Sequence, residues 1–159
     1  MKTMQMNRIG LDEDQVVTLA RRLNELLADY QIFYLNTRGY HWNIKGEKFF
    51  ELHVKFEELY TDLLVKIDEI AERVLTLGET PDHTFADYLE KADVEVHHHV
   101  DDGRTAIGQI LEAFKIIIGK QRVLLVQSAE AADEGTNALM SDYIREQEKL
   151  VWMYAAFLG

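Results

Sequence analysis

Helix-breaking residues are rare throughout this sequence, which contains one proline and 9 glycines in 159 residues. No stretch alternates apolar and polar residues for long enough to predict a strand. Four long segments instead repeat apolar residues at helical spacing, at about residues 12–40, 48–77, 104–131 and 136–157. The sequence therefore predicts an all-α chain.

Local signals indicate where these helices begin and end. Asp12, with Gln15 three residues later, predicts the start of the first helix, and Gly78 followed by Pro81 predicts the end of the second. The segment TFADYLEKA (84–92) predicts a short helix within the long second connection. Long helices with such a connection favour a four-helix bundle that the connection crosses. The length suits a single domain over residues 1–159.

Composition limits the chemistry that the chain can perform. With no cysteine in the sequence, thiol nucleophiles and thiolate metal sites are excluded, so a metal would have to be held by His, Asp and Glu. The net charge of -11 argues against a surface that follows phosphate and suits a protein that gathers cations. No apolar run approaches the roughly 20 residues that span a bilayer. We expect no membrane association and a cytoplasmic location.

The second predicted helix carries three different faces. Its apolar stripe, which includes Phe56, Tyr60 and Ile67, is expected to face the core. A second face is charged with mixed sign and is expected to be solvated; it consists of Glu51, Lys55, Glu58, Asp62, Lys66, Glu69 and Arg73. The third face mixes titratable and apolar residues and contains no Lys or Arg; its titratable members are His53, Glu57, Asp68 and Glu72.

This third face is the main functional signal in the residues. Any one of its titratable groups would be an ordinary residue at the edge of the core. Together, carboxylates without basic partners on a partly apolar face would be costly to bury unless a cation neutralised them. Histidine with carboxylates suits iron, zinc or manganese. The pattern therefore indicates a metal site.

Helix geometry prevents one chain from completing that site alone. His53 and Asp68 lie 15 residues apart, which is about 22 Å along a continuous helix. A second copy packed antiparallel across a two-fold axis near Thr61 would bring His53 and Glu57 of one chain opposite Asp68 and Glu72 of the other. His41 is separated from His53 by a turn through Gly46, so it can join from the same side.

At these residues the sequence resembles the Dps family, the miniferritins. The stretch YHWNIKGEKFFELHVKFEELYTDLLVKIDEIAERVLTLG (40–78) contains the family's HWN, LH, F-E, D-x-I-A-E-R and LG at the family's spacing, and the likeness continues to the closing EKLVWMYAAFLG. The resemblance implies a ferritin-like fold and a hollow shell of twelve subunits. It further implies inter-subunit sites that oxidise Fe(II) to Fe(III), preferentially with hydrogen peroxide, before the ferric mineral is stored.

The resemblance also assigns roles to individual residues. It implies that His41 and His53 are ligands from one subunit, that Asp68 and Glu72 are ligands from its neighbour, and that Glu57 assists at a second iron. Hydrogen peroxide and dioxygen are the two candidate oxidants. Trp42, beside His41, could exchange an electron with the site, or could pack as an aromatic at the helix end.

Several other residues carry weaker signals. Glu130, Asp133 and Glu134 are the candidates for acids lining an iron entry pore, and Asp133 could equally be a helix cap. The histidines at 97–99 form a loop cluster of a kind that is more often solvated. Glu95 and His98 make one isolated E-x-x-H, whereas an ordinary di-iron bundle needs two such pairs on long helices.

Three classes of function agree with the sequence in different degrees. The first is an enzyme that oxidises and stores iron, the second is a DNA-binding protein of the same fold that compacts the chromosome, and the third is an acidic helical scaffold. Segregation of the four titratable residues on one face of the second helix favours the first over the third.

Direct DNA binding is not expected for this chain. Lys2 and Arg8 are the basic residues ahead of the first predicted helix, and Asp12, Glu13 and Asp14 follow. Two cations per subunit should not overcome repulsion by a net charge of -11 at physiological salt. We therefore expect no gel shift of duplex DNA at near-neutral pH without divalent metal, and indirect protection of DNA through joint consumption of Fe(II) and peroxide. A stable, salt-sensitive complex that is lost on deletion of residues 1–9 would contradict this.

Overall fold

The computed structural model describes residues 3–159, and within that range the chain forms five α-helices. These are α1 (Glu13–Asn43), α2 (Phe49–Thr76), α3 (Phe85–Lys91), α4 (Gly103–Glu130) and α5 (Glu134–Leu158). The long helices form a bundle in which α1 packs against α2 and α4 packs against α5, while the short α3 packs against α1. The predicted all-α architecture, with its short helix in the second connection, is confirmed. Lys2 lies outside the described residues.

The helix ends follow the predicted signals. The carboxylate of Asp12 accepts a hydrogen bond from the backbone N–H of Gln15 at 3.0 Å, which caps α1. Gly78 follows α2 in the left-handed region, with φ of 93°, and the N–H of Glu79 donates back to the carbonyl of Val74 at 3.1 Å. Helix α1 continues past Tyr40 to Asn43. His41 therefore lies within its last turn.

Apolar side chains from all four long helices fill the bundle. Phe33 of α1 meets Phe114 of α4 edge to face, with ring centroids 5.1 Å apart. Other fully buried members of this core are Leu23, Leu26, Phe56, Leu63, Ile70, Ile117 and Met140. The predicted apolar stripe of the second helix is thus the face that α2 turns inward.

A closed hydrogen-bond network lies within this core. The Tyr30 hydroxyl donates to Gln121 at 2.6 Å, the Gln121 amide donates to Gln147 at 2.7 Å, and the Gln147 amide donates back to Tyr30 at 2.6 Å. All three side chains are buried, and burial raises the pKa of the Tyr30 phenol well above its ordinary value. Because each group satisfies another, the network joins α1, α4 and α5 without an uncompensated polar atom among these contacts.

The expectation of a fully solvated charged face on α2 is wrong for part of that face. Lys66 is 4% exposed, and its ammonium pairs with Asp62 at 2.7 Å and with Glu146 of α5 at 3.0 Å. Glu69 accepts a hydrogen bond from the hydroxyl of Tyr143. Helix α5 approaches α2 on this side, so Lys66 is buried and pairs with Glu146 across the two helices. Periodicity defines a helix face but not the neighbour that covers it.

Polar side chains of α1, including Asp29 and Asn36, attach the crossing connection to this helix. Asp29 is buried and accepts from the backbone N–H groups of Asp93 and Val94, at 2.7 and 2.9 Å. Asn36 donates to the carbonyl of Glu95 at 2.7 Å and accepts from the N–H of His97 at 3.0 Å. These bonds give the loop backbone the partners that buried peptide groups require.

Within residues 3–159, no helix combines the length and the apolar content that crossing a bilayer requires.

Arg73 joins α2 to the turn between α4 and α5. Its guanidinium pairs with the buried carboxylate of Asp133 at 2.6 Å and donates to the hydroxyl of Thr136 at 2.9 Å. It also lies against Gly135, where an added Cβ would be 2.5 Å from a guanidinium nitrogen. Asp133 in turn caps α5 by accepting from the N–H of Thr136.

We expect Arg73→Ala to lower the free energy of unfolding by about 2–4 kcal/mol, because it leaves the buried Asp133 carboxylate without its cation. Arg145→Ala is the matched control, since Arg145 makes an exposed pair with Asp142 at 3.2 Å; we expect it to change stability by less than about 0.5 kcal/mol. Urea unfolding at equal protein concentration measures both. Equal losses of unfolding free energy in the two variants would show that the Arg73–Asp133 pair stabilises the fold no more than an exposed pair does.

Candidate metal centre

The structure brings His41 and His53 together at the junction of α1 and α2. The junction turns at Gly46, which has φ of 103° and so favours glycine. It is held by the buried side chain of Ile44 and by a bond from the N–H of Lys45 to the carbonyl of Asp101 at 3.0 Å. The two imidazole rings stack with centroids 3.8 Å apart and planes 14° apart. His41 is buried and His53 is half-buried.

Each histidine is oriented by the backbone of the other. Nδ1 of His41 lies 2.6 Å from the carbonyl oxygen of His53, and Nδ1 of His53 lies 2.8 Å from the carbonyl oxygen of His41. A carbonyl oxygen can only accept, so both Nδ1 atoms must carry the proton. In the neutral rings this leaves the Nε2 lone pairs unprotonated. A backbone bond at one nitrogen with the other nitrogen free is the usual arrangement of a metal-binding histidine.

The three predicted carboxylates lie farther along α2 and are exposed. Glu57 follows His53 by one helical turn, and Asp68 and Glu72 lie toward the other end of the helix. Among residues 3–159, no Lys or Arg forms an ion pair with any of these three carboxylates. They are therefore available to a cation or to groups on another molecule.

No metal site is complete within the described chain. Helix α2 is continuous from Phe49 to Thr76, so the 15-residue interval between His53 and Asp68 keeps them about 22 Å apart along the axis. In residues 3–159, no three His, Asp or Glu side chains lie close enough together to hold a metal ion. The His41–His53 pair is one half of a possible ligand set, and the assignment of all five residues as ligands stays a prediction.

Further aromatic rings adjoin the histidine pair on both sides. Phe49 stacks on His53 with centroids 5.0 Å apart, and Tyr60 meets His41 edge to face at 5.3 Å. The sequence pattern places Tyr60 in the core stripe and gives no separate reason to select Phe49. The available signal is spacing, because Phe49 lies four residues before His53 and Tyr60 seven after it, which puts all three on one side of α2.

Trp42 does not pack into the core at the end of α1. Its side chain is 61% exposed, and the guanidinium of Arg38 lies 4.8 Å from its ring centroid. Arg38 also lies over the rings of Tyr34 and Tyr60, at 5.7 and 4.9 Å, and donates to the hydroxyl of Tyr34. Trp42 therefore belongs to an aromatic and cationic group beside the histidine pair.

The histidine cluster at 97–99 lies just before the start of α4. The histidines at 97–99 lie in the loop between α3 and α4, and the backbone N–H of His97 is bonded to Asn36. Asp102 caps α4, and its hydrogen bonds from the backbone and hydroxyl of Thr105 lower the pKa of its carboxyl. The His97 backbone thus holds the loop to α1, and the Asp102 carboxylate caps α4.

The three candidate pore acids have different environments. Asp133 is buried as the cap of α5 and the partner of Arg73, so the helix-cap interpretation of this residue is confirmed. Glu130 and Glu134 are exposed at the turn between α4 and α5. A role in a pore stays a prediction for the acids of this segment.

The fold agrees with comparisons to known proteins. The ferritin-like domain family matches residues 20–159. The chain is 50% identical to an uncharacterised protein of Haemophilus influenzae over 153 residues, which is 96% of both chains. It is 43% identical to the DNA protection during starvation protein of Porphyromonas gingivalis over 148 residues, or 93% of both chains. These matches define the class as ferritin-like.

Solved structures narrow this class. The Dps protein of Vibrio cholerae O1, described as a member of a broad superfamily of ferritin-like diiron-carboxylate proteins, covers all of both chains with a TM-score of 0.97 and 56% identity. The Dps protein of Bacillus brevis covers 92% of this chain and 98% of its own, with a TM-score of 0.89 and 34% identity. The chain belongs to the Dps family of ferritin-like proteins, as the motif around His41 predicts.

Proposed function

We propose that this protein is a miniferritin that oxidises Fe(II) and stores the ferric product. The observation that supports this best is the His41–His53 pair, in which reciprocal backbone hydrogen bonds leave both Nε2 atoms free for a metal. The Vibrio relative is described as a ferritin-like diiron-carboxylate protein, and several relatives are named for DNA protection during starvation. Iron is the substrate and the cargo of the reaction.

Two subunits complete each site in this proposal. An antiparallel pair of α2 helices, related by a two-fold axis near Thr61, places His41 and His53 of one subunit opposite Asp68 and Glu72 of the other. Glu57 lies one turn from His53 and assists at a second iron. Each two-fold pair of subunits then holds two equivalent sites. The neutral imidazoles and the unpaired carboxylates together supply the nitrogen and oxygen ligands that Fe(II) accepts.

The reaction consumes two damaging reactants together. Two Fe(II) ions give up one electron each, and hydrogen peroxide with two protons accepts both electrons to form two molecules of water. Because the two electrons are transferred as a pair, no hydroxyl radical is released. Dioxygen is the alternative oxidant. Protection of DNA follows indirectly from this chemistry, without a DNA complex.

Storage requires an enclosed space that one subunit does not supply. The interior of the bundle is filled by the apolar core and by the Tyr30, Gln121 and Gln147 network. A mineral must therefore lie between subunits, inside a closed homo-oligomeric shell. Twelve subunits is the proposed number.

Loss of one proposed ligand should impair oxidation without unfolding the chain. We expect His53→Ala and Asp68→Ala each to lower the rate of peroxide-dependent Fe(II) oxidation at least about tenfold, since even partners of metal ligands typically matter by that factor. Ferric absorbance after anaerobic Fe(II) loading and peroxide addition measures the rate. His83→Ala is the matched control, because His83 is exposed and lies outside the pair. Wild-type rates in both ligand variants would refute the assigned site.

Mixed assemblies test whether two chains share each site. In a two-fold pair of one His53→Ala and one Asp68→Ala subunit, one site loses both ligands and the other retains all of them. Random mixing makes half of the pairs mixed, so we expect recovery of about a quarter of the wild-type rate. Mass spectrometry of the assemblies verifies mixing. Verified mixing without recovery would contradict a shared site.

Particle mass tests the storage part of the proposal separately. We expect native light scattering to give a mass near twelve times the 18.5 kDa of one chain, because closure of a shell requires interfaces beyond the two-fold pair. A mass of two chains at micromolar concentration would leave no enclosed volume and would refute storage.

A further inference from the structure

The His41–His53 pair forms the middle of a longer series of aromatic rings. Phe49 stacks on His53 with centroids 5.0 Å and planes 21° apart. His53 stacks on His41 at 3.8 Å and 14°. Tyr60 then closes the series with its ring at 80° to His41 and centroids 5.3 Å apart. Phe49 therefore stacks on the side of His53 away from His41, and Tyr60 makes a perpendicular ring contact with His41.

The backbone hydrogen bonds of the two histidines do not by themselves fix the tilt of each imidazole ring. The torsion between Cβ and an imidazole ring is broad and roughly two-fold. The bond from Nδ1 to a carbonyl selects one of the two flipped states, because the flip would replace the donor with a carbon. It does not fix the tilt of the ring about that bond. The tilt matters for a ligand, since the Nε2 lone pair lies in the ring plane.

Stacking restricts this tilt. A ring held between two others cannot rotate out of plane without losing both contacts, and aromatic pairs prefer particular offset or edge-to-face arrangements. His53 has Phe49 on one face and His41 on the other, while His41 has His53 and Tyr60 as its ring neighbours. Hydrogen bonds and ring contacts together determine where both Nε2 lone pairs point.

The two outer rings are themselves held in place. Phe49 is the first residue of α2, packs against the core and is four residues before His53. Tyr60 contacts Tyr34, whose ring meets it edge to face at 6.1 Å, and Arg38, whose guanidinium is 4.9 Å from its centroid. Phe49 and Tyr60 are therefore held by groups on α1 and α2, and can in turn restrain the histidine rings.

We propose that Phe49 and Tyr60 are positioning residues that clamp the His41–His53 pair into its metal-binding orientation. This inference rests on the proposed function, because a metal is what the oriented lone pairs would bind. The clamp acts through the aromatic rings, so apolar volume alone does not replace it. The bound metal would gain affinity because the ligand rings need not be ordered when it binds.

Anaerobic Co(II) titration of the assembled protein tests the clamp, with Co(II) as a redox-stable probe. Phe49→Leu and Tyr60→Leu remove one ring each and keep apolar volume; we expect about 3- to 10-fold weaker Co(II) binding and an altered visible spectrum, in line with the worth of an aromatic pair. Phe49→Tyr and Tyr60→Phe retain the ring and should stay within about twofold of wild type. Particle mass and circular dichroism check assembly and folding.

Phe85→Leu is the matched control. Phe85 is also the first residue of its helix, but it lies on α3, outside the ring series and off the α2 face, and is 81% exposed, so its loss should leave Co(II) binding unchanged. Wild-type affinity and spectrum in both Leu variants would overturn the clamp. So would an equal loss in Phe85→Leu, or in the variants that retain the ring. If wild-type Co(II) binding is insensitive to His53→Ala, the proposed site itself is wrong, and the clamp with it.

Discussion

The continuity of α2 is the constraint on which the proposed chemistry depends. An α-helix rises 1.5 Å per residue, and α2 runs without a break from Phe49 to Thr76. Its one histidine therefore stays at one end, while Asp68 and Glu72 stay near the other. A kinked or interrupted helix could have folded these groups toward one another. A straight one separates them, so a complete ligand set has to come from two copies of the helix.

The ion pairs of the Lys and Arg side chains agree with a ligand set shared between two copies of α2. Lys66 pairs with Asp62 and Glu146, Arg73 pairs with Asp133, and Lys120 pairs with Asp29 and Asp93. These basic groups stabilise the contacts of α2 with α5 and of α1 with the crossing connection. In the described chain, Glu57, Asp68 and Glu72 are left without such partners. An unneutralised carboxylate face suits a cation arriving from solution.

The junction of α1 and α2 links folding to the proposed function. The backbone of each helix end accepts the hydrogen bond of the histidine on the other, so the contact that fixes the turn also fixes the tautomer of both rings. The groups that contact these two rings, including Phe49 and Tyr60, lie on α1 and α2 themselves. The core network of Tyr30, Gln121 and Gln147 provides polar contacts elsewhere in the bundle, where its groups satisfy one another.

Local signals in the sequence determined the helices, several of their caps and the separation of His53 from Asp68, because these depend on residues within a few turns of one another. They include the cap at Asp12, the end at Gly78 and the distinct face of α2. Only the tertiary structure decided which helix covers each face. It buried Lys66 and paired it with Glu146 of α5, against the expectation of a solvated residue. It also set the imidazoles of His41 and His53 3.8 Å apart, with Phe49 against His53 and Tyr60 against His41. Those outcomes depend on how separate helices pack, and helical periodicity carries no information about the partner.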